Sequence, residues 1–107
     1  MESQYAKQRI INDIKNDDLK IQITGYVKEI NNDNTILLND DSGQLKVDLK
    51  EVDFNFNEGD LINVIGELHI TTSGEKILES LIIQDMNKLN FKYYRKLYDY
   101  KKQLLEE

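Results

Sequence analysis

The 107-residue sequence predicts an all-β fold, a small five-stranded barrel, followed by one C-terminal α-helix. Three features of the sequence support this prediction. Apolar and polar residues alternate through five segments between residues 19 and 85, and clusters of turn residues separate these segments. Isolated glycines, Gly25 and Gly66, interrupt the two longest segments, which is typical of strands that bend to close a barrel. Beyond residue 85 the apolar residues follow a helical period instead.

The barrel is preceded by a short segment that carries two predictions. Residues 1–8 are expected to be flexible. The next ten residues, RIINDIKNDD, hold Ile10, Ile11 and Ile14 at helix-like spacing. They predict a short helical turn or an extended lead-in that covers one end of the barrel.

The predicted strands occupy residues 19–30, 35–40, 44–50, 61–70 and 76–85. In the first strand, alternation at a period of two places five residues on the inward face: Leu19, Ile21, Ile23, Gly25 and Val27. Phe54 and Phe56 fall in the connection between the third and fourth strands. We expect them to close the bottom of the barrel, because buried aromatic rings contribute strongly to core packing.

The C-terminal segment, residues 86–107, predicts a helix with two apolar seams. The first seam advances by alternating steps of four and three residues and comprises Met86, Asn90, Tyr93, Leu97, Tyr100 and Leu104. The second seam lies beside it and comprises Phe91, Tyr94, Tyr98 and Leu105. Because one end of a small barrel can bury one seam but not both, the helix is predicted to pack against partner proteins.

Charge is distributed unevenly along the chain, whose net charge is −6. Residues 1–85 hold 8 basic and 17 acidic side chains, a balance of −9, whereas residues 86–107 hold 6 basic and 3 acidic ones, a balance of +3. Contacts to phosphate dominate affinity for nucleic acid. The acidic body therefore argues against a strong, self-sufficient nucleic-acid-binding protein.

Composition excludes several kinds of site. The sequence has no cysteine, which excludes disulfides and thiolate metal sites, and its single histidine, His69, excludes a multi-histidine metal centre. No Gly-rich phosphate loop is present, and no catalytic triad is recognisable around His69. Carboxylates are plentiful, but no pair is singled out as catalytic. We therefore predict no catalytic residue, no metal site and no cofactor, and an enzyme is the least favoured class.

Two further patterns bear on ion binding and location. The cluster NDDSG, residues 39–43, lacks the ligand spacing of an EF-hand, so a tight turn with glycine at a positive φ is favoured over a calcium loop. No apolar run is long enough to span a bilayer, and no signal-peptide pattern is present. A soluble intracellular protein is expected, in the cytoplasm of a prokaryote or the nucleus of a eukaryote.

The order of these segments resembles a known family. The run that carries the resemblance is GYVKEI…TILLNDDSGQLKVDL…NEGDLINVIGEL…GEKILESLIIQDM. It is similar to the OB-fold subunits of replication protein A, and most similar to the small single-barrel subunit of archaeal and eukaryotic single-stranded-DNA-binding complexes. The resemblance covers roughly residues 9–107. Telomere-capping relatives share the same plan of barrel and helix, and this alternative stays open.

The resemblance implies a fold and a function. It implies a Greek-key OB-fold barrel at residues 9–85 and a C-terminal bundling helix at residues 86–107. Such a chain is a structural subunit of a heterotrimer that serves DNA replication and repair. Its helix holds larger OB-fold subunits together, and single-stranded DNA is bound by the complex. The expected partner interface comprises Met86, Phe91, Tyr93, Tyr94, Leu97, Tyr98, Tyr100, Leu104 and Leu105.

The same resemblance implies a groove over the second and third strands, between the loops at residues 31–34 and 71–75. Candidate nucleic-acid-binding residues in and near this groove are Tyr26, Lys28, Asn39, Lys46, Thr72 and Lys76. Tyr26 is the one ring expected to offer base stacking, and neighbouring aspartates would repel phosphate, so intrinsic binding is expected to be weak or absent. Two alternatives stay open: an autonomous module that binds single-stranded nucleic acid or tRNA, and a homo-oligomer whose helices pair with one another.

Overall fold

The computed structural model describes residues 6–50 and 52–106, without the side chains of Leu105 and Glu106. These residues form strands, one 3-10 helix and one α-helix. In chain order they are β1 (Lys7–Gln8), the 3-10 helix (Ile11–Asp13), β2 (Lys20–Ile30), β3 (Thr35–Asn39), β4 (Gln44–Asp48), β5 (Leu61–Ile70), β6 (Lys76–Asp85) and α1 (Phe91–Glu106).

The strand that closes the barrel is β2, because it pairs with two neighbours. Its first part, from Lys20 to Tyr26, pairs antiparallel with β5, and its last part, from Tyr26 to Ile30, pairs antiparallel with β3. The ring is completed by antiparallel pairs β3–β4 and β5–β6 and by the parallel pair β4–β6. The predicted five-stranded barrel is confirmed, with the order β2-β3-β4-β6-β5 around it.

Glycine is required where the barrel strands approach each other most closely. A Cβ atom built on Gly25 would lie 2.9 Å from the carbonyl oxygen of Asn39, and one on Gly66 would lie closer still to the carbonyl oxygen of Glu79. The pairing of β5 with β6 shifts register between Ile65 and Gly66, as predicted for a bulge, whereas β2 pairs with β5 through Gly25 without a shift. Gly25 therefore serves close backbone approach rather than a bulge.

The inward faces of the strands form one apolar core. Its fully buried members include Ile21, Ile23, Val27, Ile36, Leu38, Val47, Ile62, Val64 and Leu78. Phe54 and Phe56 pack against this core as predicted, with ring centroids 5.4 Å apart. The prediction for Leu19 is wrong: it lies just before β2 and is 73% exposed, although its carbonyl oxygen accepts a hydrogen bond from the backbone nitrogen of the buried Leu68.

The segment before β2 packs on the barrel, with Ile14 joining the apolar core and Ile11 packing against it. Lys7 and Gln8 pair in parallel with residues of β2, so the predicted flexible segment, residues 1–8, is ordered at these two positions. Residues 1–5 lie outside the described residues. The predicted short helical turn is confirmed as the 3-10 helix, with Ile10 and Ile14 buried on either side of it.

A buried carboxylate joins this segment to the β3–β4 turn. One oxygen of Asp40 accepts a hydrogen bond from the backbone nitrogen of Ile11 at 2.7 Å, and the other accepts from the backbone nitrogen and the hydroxyl of Ser42 at 2.9 and 2.7 Å. The turn interpretation of the NDDSG cluster fits this geometry, but the positive φ belongs to Asp41, at 71°, rather than to Gly43. The Asp40 side chain is thus engaged in holding the fold together.

Candidate partner and nucleic-acid interfaces

The terminal helix begins later than the sequence period predicts. Asn90 is its N-cap: the Asn90 side-chain oxygen accepts a hydrogen bond from the backbone nitrogen of Tyr93 at 3.1 Å. The prediction that Met86 belongs to a helical seam is wrong, because Met86 lies in the preceding turn, where its carbonyl oxygen accepts from Leu89 at 2.8 Å. An asparagine just before a helical apolar period is a recognised start signal, and it marks residue 90 in the sequence.

One side of α1 packs on the barrel. Phe91 and Tyr98 are 7% and 8% exposed, and Tyr94 is half-buried between them along the helix. The ring of Phe91 meets Tyr26 edge-on at a centroid distance of 5.2 Å and stacks with Tyr94 at 5.9 Å. Phe91 and Tyr98 are therefore buried within the chain, contrary to their prediction as partner-contacting residues, whereas half-buried Tyr94 keeps part of its surface exposed. The fourth member, Leu105, has its side chain outside the described residues.

Polar contacts fix the helix on the N-terminal segment. Tyr98 and Lys102 both donate to the same oxygen of Asp13, at 2.9 and 2.8 Å. Gln8 donates to the hydroxyl of Tyr94 at 2.8 Å, and Arg95 donates to the carbonyl oxygen of Asp40 at 2.7 Å. We call the Asp13, Tyr98 and Lys102 cluster the helix anchor.

Protonation equilibria in the helix anchor reinforce these contacts. Burial raises the pKa of the Tyr98 hydroxyl to about 12, and its hydrogen bond to Asp13 acts in the same direction. Burial acts to raise the pKa of Asp13 as well, but hydrogen bonds from Lys102 and Tyr98 outweigh it, and the pKa of Asp13 is lowered. Near neutral pH the tyrosine is therefore a donor and the aspartate an ionised acceptor.

A second side of α1, next to the one that packs on the barrel, is apolar and exposed. Its large side chains are 60%, 43%, 61% and 64% exposed, in the order Tyr93, Leu97, Tyr100 and Leu104. Successive helix residues are rotated by about 100°, which places this group beside the side that carries Phe91 and Tyr98 and leaves it uncovered by the barrel. We call these four residues the exposed seam. The barrel buries one predicted seam and leaves the other in solvent, and a contiguous apolar stripe of this kind marks interaction sites.

The candidate nucleic-acid residues fall in two separate places. Lys46 and Lys76 line a groove of about 530 Å³ between β4 and the β5–β6 turn, together with Glu75. Thr72 is exposed in the same turn. This groove contains two cations, one carboxylate and no aromatic ring among the described residues that line it. It therefore offers little for base stacking.

Tyr26, Lys28 and Asn39 do not line that groove. Lys28 is exposed on β2 at the register shift between β2 and β3, and Asn39 accepts a hydrogen bond from the backbone nitrogen of Asp41 at 2.8 Å. Tyr26 lies opposite Asn39 in the β2–β3 pair and lines a different concavity, of about 570 Å³, beside α1. The predicted set is thus divided between two surfaces.

The concavity beside Tyr26 is bordered by side chains that the sequence did not bring together. Lys92, Arg95 and Lys96 of α1 line it, as do Asp41 and Asp99. We call it the junction groove. The position of these cations beside Tyr26 was not predictable, because nothing in the sequence reveals on which side of the barrel the helix docks.

One cluster of the described residues has ligand atoms close enough to be considered as a metal site. Its members are Glu67, His69 and Glu79, whose ligand atoms all lie within 4.8 Å of one another. Glu79 already accepts from Lys50 at 2.7 Å and contacts His69 at 3.0 Å. Its pKa is lowered, first by the hydrogen bond from Lys50 and then by that from His69. Lys50 supplies the positive charge that a metal ion would bring, so the cluster is best described as a surface ion-pair network.

The fold now defines the class of protein. A closed barrel with the order β2-β3-β4-β6-β5, a parallel β4–β6 pair and a C-terminal helix are the features of an OB-fold protein. No described helix is long and apolar enough to cross a membrane. No protein-family model matches the sequence, and no curated protein matches it.

Solved structures confirm the fold. The chain is similar to the telomere capping protein Ten1 from Saccharomyces pombe, with a TM-score of 0.74, 24% identity and coverage of 92% of this chain and 99% of Ten1. It matches a chain of the S. pombe Stn1–Ten1 complex with the same TM-score and identity, covering 92% of this chain and 93% of the other. A third match is U. maydis replication protein A bound to single-stranded DNA, with a TM-score of 0.60, 16% identity and coverage of 100% of this chain and 90% of the other.

Proposed function

We propose that this chain is a small structural subunit of a heteromeric, replication protein A-like single-stranded-DNA-binding complex. In this proposal α1 joins larger OB-fold subunits, and those subunits supply most of the DNA affinity. The observation that carries the proposal is the exposed seam, which lies beside the side of α1 that packs on the barrel and remains in solvent. The solved neighbours support the same class, since they include the S. pombe Stn1–Ten1 complex and a replication protein A bound to single-stranded DNA.

The energetics favour burial of the exposed seam by another helix. Full burial of a large apolar side chain stabilises by about 1.5–3 kcal/mol relative to exposure. Because each member of the exposed seam retains about half of its surface in solvent, covering it would add roughly 1 kcal/mol per residue, several kcal/mol in total. The spacing of three and four residues suits a helical partner that packs along the stripe. The lysines beside it favour acidic residues on that partner.

The test uses the exposed seam and a control from the same helix. We expect a tagged wild-type chain, expressed in its own cells, to co-purify with OB-fold proteins that bind single-stranded DNA. Leu97→Asp places a charge in the centre of the exposed seam and should abolish recovery of these proteins. Gln103→Asp, on an exposed position outside the seam, introduces the same side chain and should leave recovery intact. Both variants should keep the circular dichroism spectrum of the wild type.

Two results would contradict the proposal. Undiminished co-purification with Leu97→Asp would show that partners use another surface. A wild-type chain that forms a homo-oligomer in light scattering, and a Leu97→Asp chain that is monomeric, would instead favour self-paired helices. Repeating the light scattering with oligo-dT reads intrinsic DNA binding in the same experiment.

A telomere-capping type of small subunit is the second candidate. It is favoured by the higher structural similarity to Ten1, with a TM-score of 0.74 against 0.60 for the replication protein A chain. The purified complex distinguishes the two candidates: general binding of oligo-dT indicates the first, and preference for the chromosome-end repeat of the source organism indicates the second.

A further inference from the structure

We propose that the junction groove between Tyr26 and α1 is a second contact for single-stranded nucleic acid, separate from the groove of Lys46 and Lys76. Tyr26 would stack on a base, and Lys92 and Lys96 would meet the adjoining phosphates. The inference goes beyond the assembly role, because it concerns residues outside the exposed seam. It also differs from the expectation drawn from the sequence, which placed Tyr26 with Lys46.

The chemistry of the junction groove supports this assignment. The Tyr26 ring is 38% exposed and is held from one side by its edge-on contact with the buried Phe91. A ring fixed in this way can stack on any base without losing further conformational freedom. Lys92 and Lys96 are both exposed and lie four residues apart, on one side of α1. An aromatic ring beside cations is the combination that binds single strands regardless of sequence.

Arg95 adds an incompletely satisfied donor to the same place. Its one hydrogen bond among the described residues goes from Nη1 to the carbonyl oxygen of Asp40, and its buried Nε has no acceptor there. A guanidinium carries five N–H donors, so most of them remain for other acceptors. Arg95 is therefore placed to donate to a phosphate or base oxygen after a small side-chain movement.

Acidic residues limit the affinity. Asp41 and Asp99 also line the groove, so its described lining holds three cations and two carboxylates. A small positive excess in a chain of net charge −6 predicts weak, salt-sensitive binding rather than a tight autonomous site. The same excess could attract an acidic protein segment. The exposed ring of Tyr26 favours nucleic acid, because an acidic peptide gains little from stacking.

The test is fluorescence anisotropy of short oligo-dT with the full chain at low salt. We expect Lys92→Gln with Lys96→Gln to weaken binding about tenfold or more and to reduce the salt slope by about 1.4, since each phosphate contact on a single strand contributes about 0.7. The matched control is Lys88→Gln with Lys101→Gln, which makes the same charge change at exposed positions outside the groove. It should change affinity by less than about twofold.

Tyr26 provides the second measurement. Tyr26→Ala should weaken binding about fivefold or more, and Tyr26→Phe should retain it, because stacking needs the ring and not the hydroxyl. Helicity by circular dichroism shows whether α1 keeps its fold in the alanine variant. If it does not, the lysine variants decide, because their side chains are exposed.

Three results would overturn the inference. Oligo-dT that fails to bind the wild-type chain at millimolar protein and low salt would exclude the contact. The contact would be assigned to the groove of Lys46 and Lys76 if the double variant Lys46→Gln, Lys76→Gln lost binding while the double variant Lys92→Gln, Lys96→Gln kept it. Binding insensitive to Tyr26→Ala, with equal competition by poly-glutamate, would show a general anion site. None of these results affects the exposed seam, so the assembly proposal is judged separately.

Discussion

The helix anchor yields the most quantitative prediction, for the substitution Asp13→Ala. Tyr98 is 8% exposed, and without the carboxylate its hydroxyl donor would be buried with no described acceptor in place of Asp13. Leaving such a donor unsatisfied costs about 1–3 kcal/mol. Loss of the ion pair with Lys102 adds no more than about 1 kcal/mol, because the Lys102 side chain is 40% exposed and water screens the pair. We expect the free energy of unfolding to fall by about 2–3 kcal/mol.

Urea denaturation followed by circular dichroism measures this loss, with Asp17→Ala as the matched control. Asp17 is exposed and makes no side-chain hydrogen bond or ion pair with described residues, so its removal should change stability by less than about 0.5 kcal/mol. The dependence on pH gives a second check. Because the pKa of Asp13 is lowered below its ordinary 3.8, the anchor contributes fully above that pH and is lost as pH falls through the lowered value. The difference between wild type and Asp13→Ala should therefore shrink below pH 3.8.

An Asp13→Ala protein that unfolds at the same urea concentration as the wild type would contradict the predicted loss of stability. A double-mutant cycle with Tyr98→Phe separates the hydroxyl from the rest of the anchor. We expect a coupling energy of about 1 kcal/mol between the two positions. Coupling near zero would mean that the hydrogen bond between Tyr98 and Asp13 contributes nothing to holding α1 on the barrel.

The other predictions concern the barrel and the tyrosines. Gly66→Ala places a methyl group against the carbonyl oxygen of Glu79 and should lower the free energy of unfolding by about 1–3 kcal/mol or more in urea denaturation; unchanged stability would mean that β5 and β6 separate there without cost. Tyr98 should ionise near pH 12 in a tyrosinate absorbance titration. Because its pKa is raised, the contribution of Tyr98 to the free energy of unfolding is complete below pH 10 and is lost between pH 10 and about 12. Ionisation of Tyr98 near pH 10 in the folded protein would contradict the buried contact with Asp13.

The barrel was predictable because its signals are local. Alternation at a period of two identifies β2 through β6, and every predicted strand lies within two residues of the observed bounds. Leu19 shows the limit of alternation as a signal, since it continues the pattern and is still hydrogen-bonded to β5, yet its side chain is exposed. Burial at a strand end depends on neighbours such as Leu68, which are distant in sequence.

The candidate site was predictable only in part, because its geometry depends on docking. The sequence showed two apolar seams on α1 but not which one the barrel would bury, since both are rich in tyrosine and leucine. The choice depends on long-range partners of the second seam: Asp13 for Tyr98 and Tyr26 for Phe91. The same docking brings Lys92 and Lys96 beside Tyr26, a proximity that no spacing in the sequence encodes.

The helix anchor also links the order of synthesis to assembly. Asp13 and Tyr98 are separated by 85 residues, and Gln8 and Tyr94 by 86, so α1 docks through residues made early and residues made late. During translation these contacts cannot form until α1 has been synthesised, whereas the barrel strands, which lie between the N-terminal segment and α1 in the sequence, can already pair. A nascent chain that lacks α1 also lacks the exposed seam. The contacts that orient the seam thus become complete only after the barrel has been synthesised, so under the proposed assembly role a partner would meet the finished seam only on a chain that can already fold.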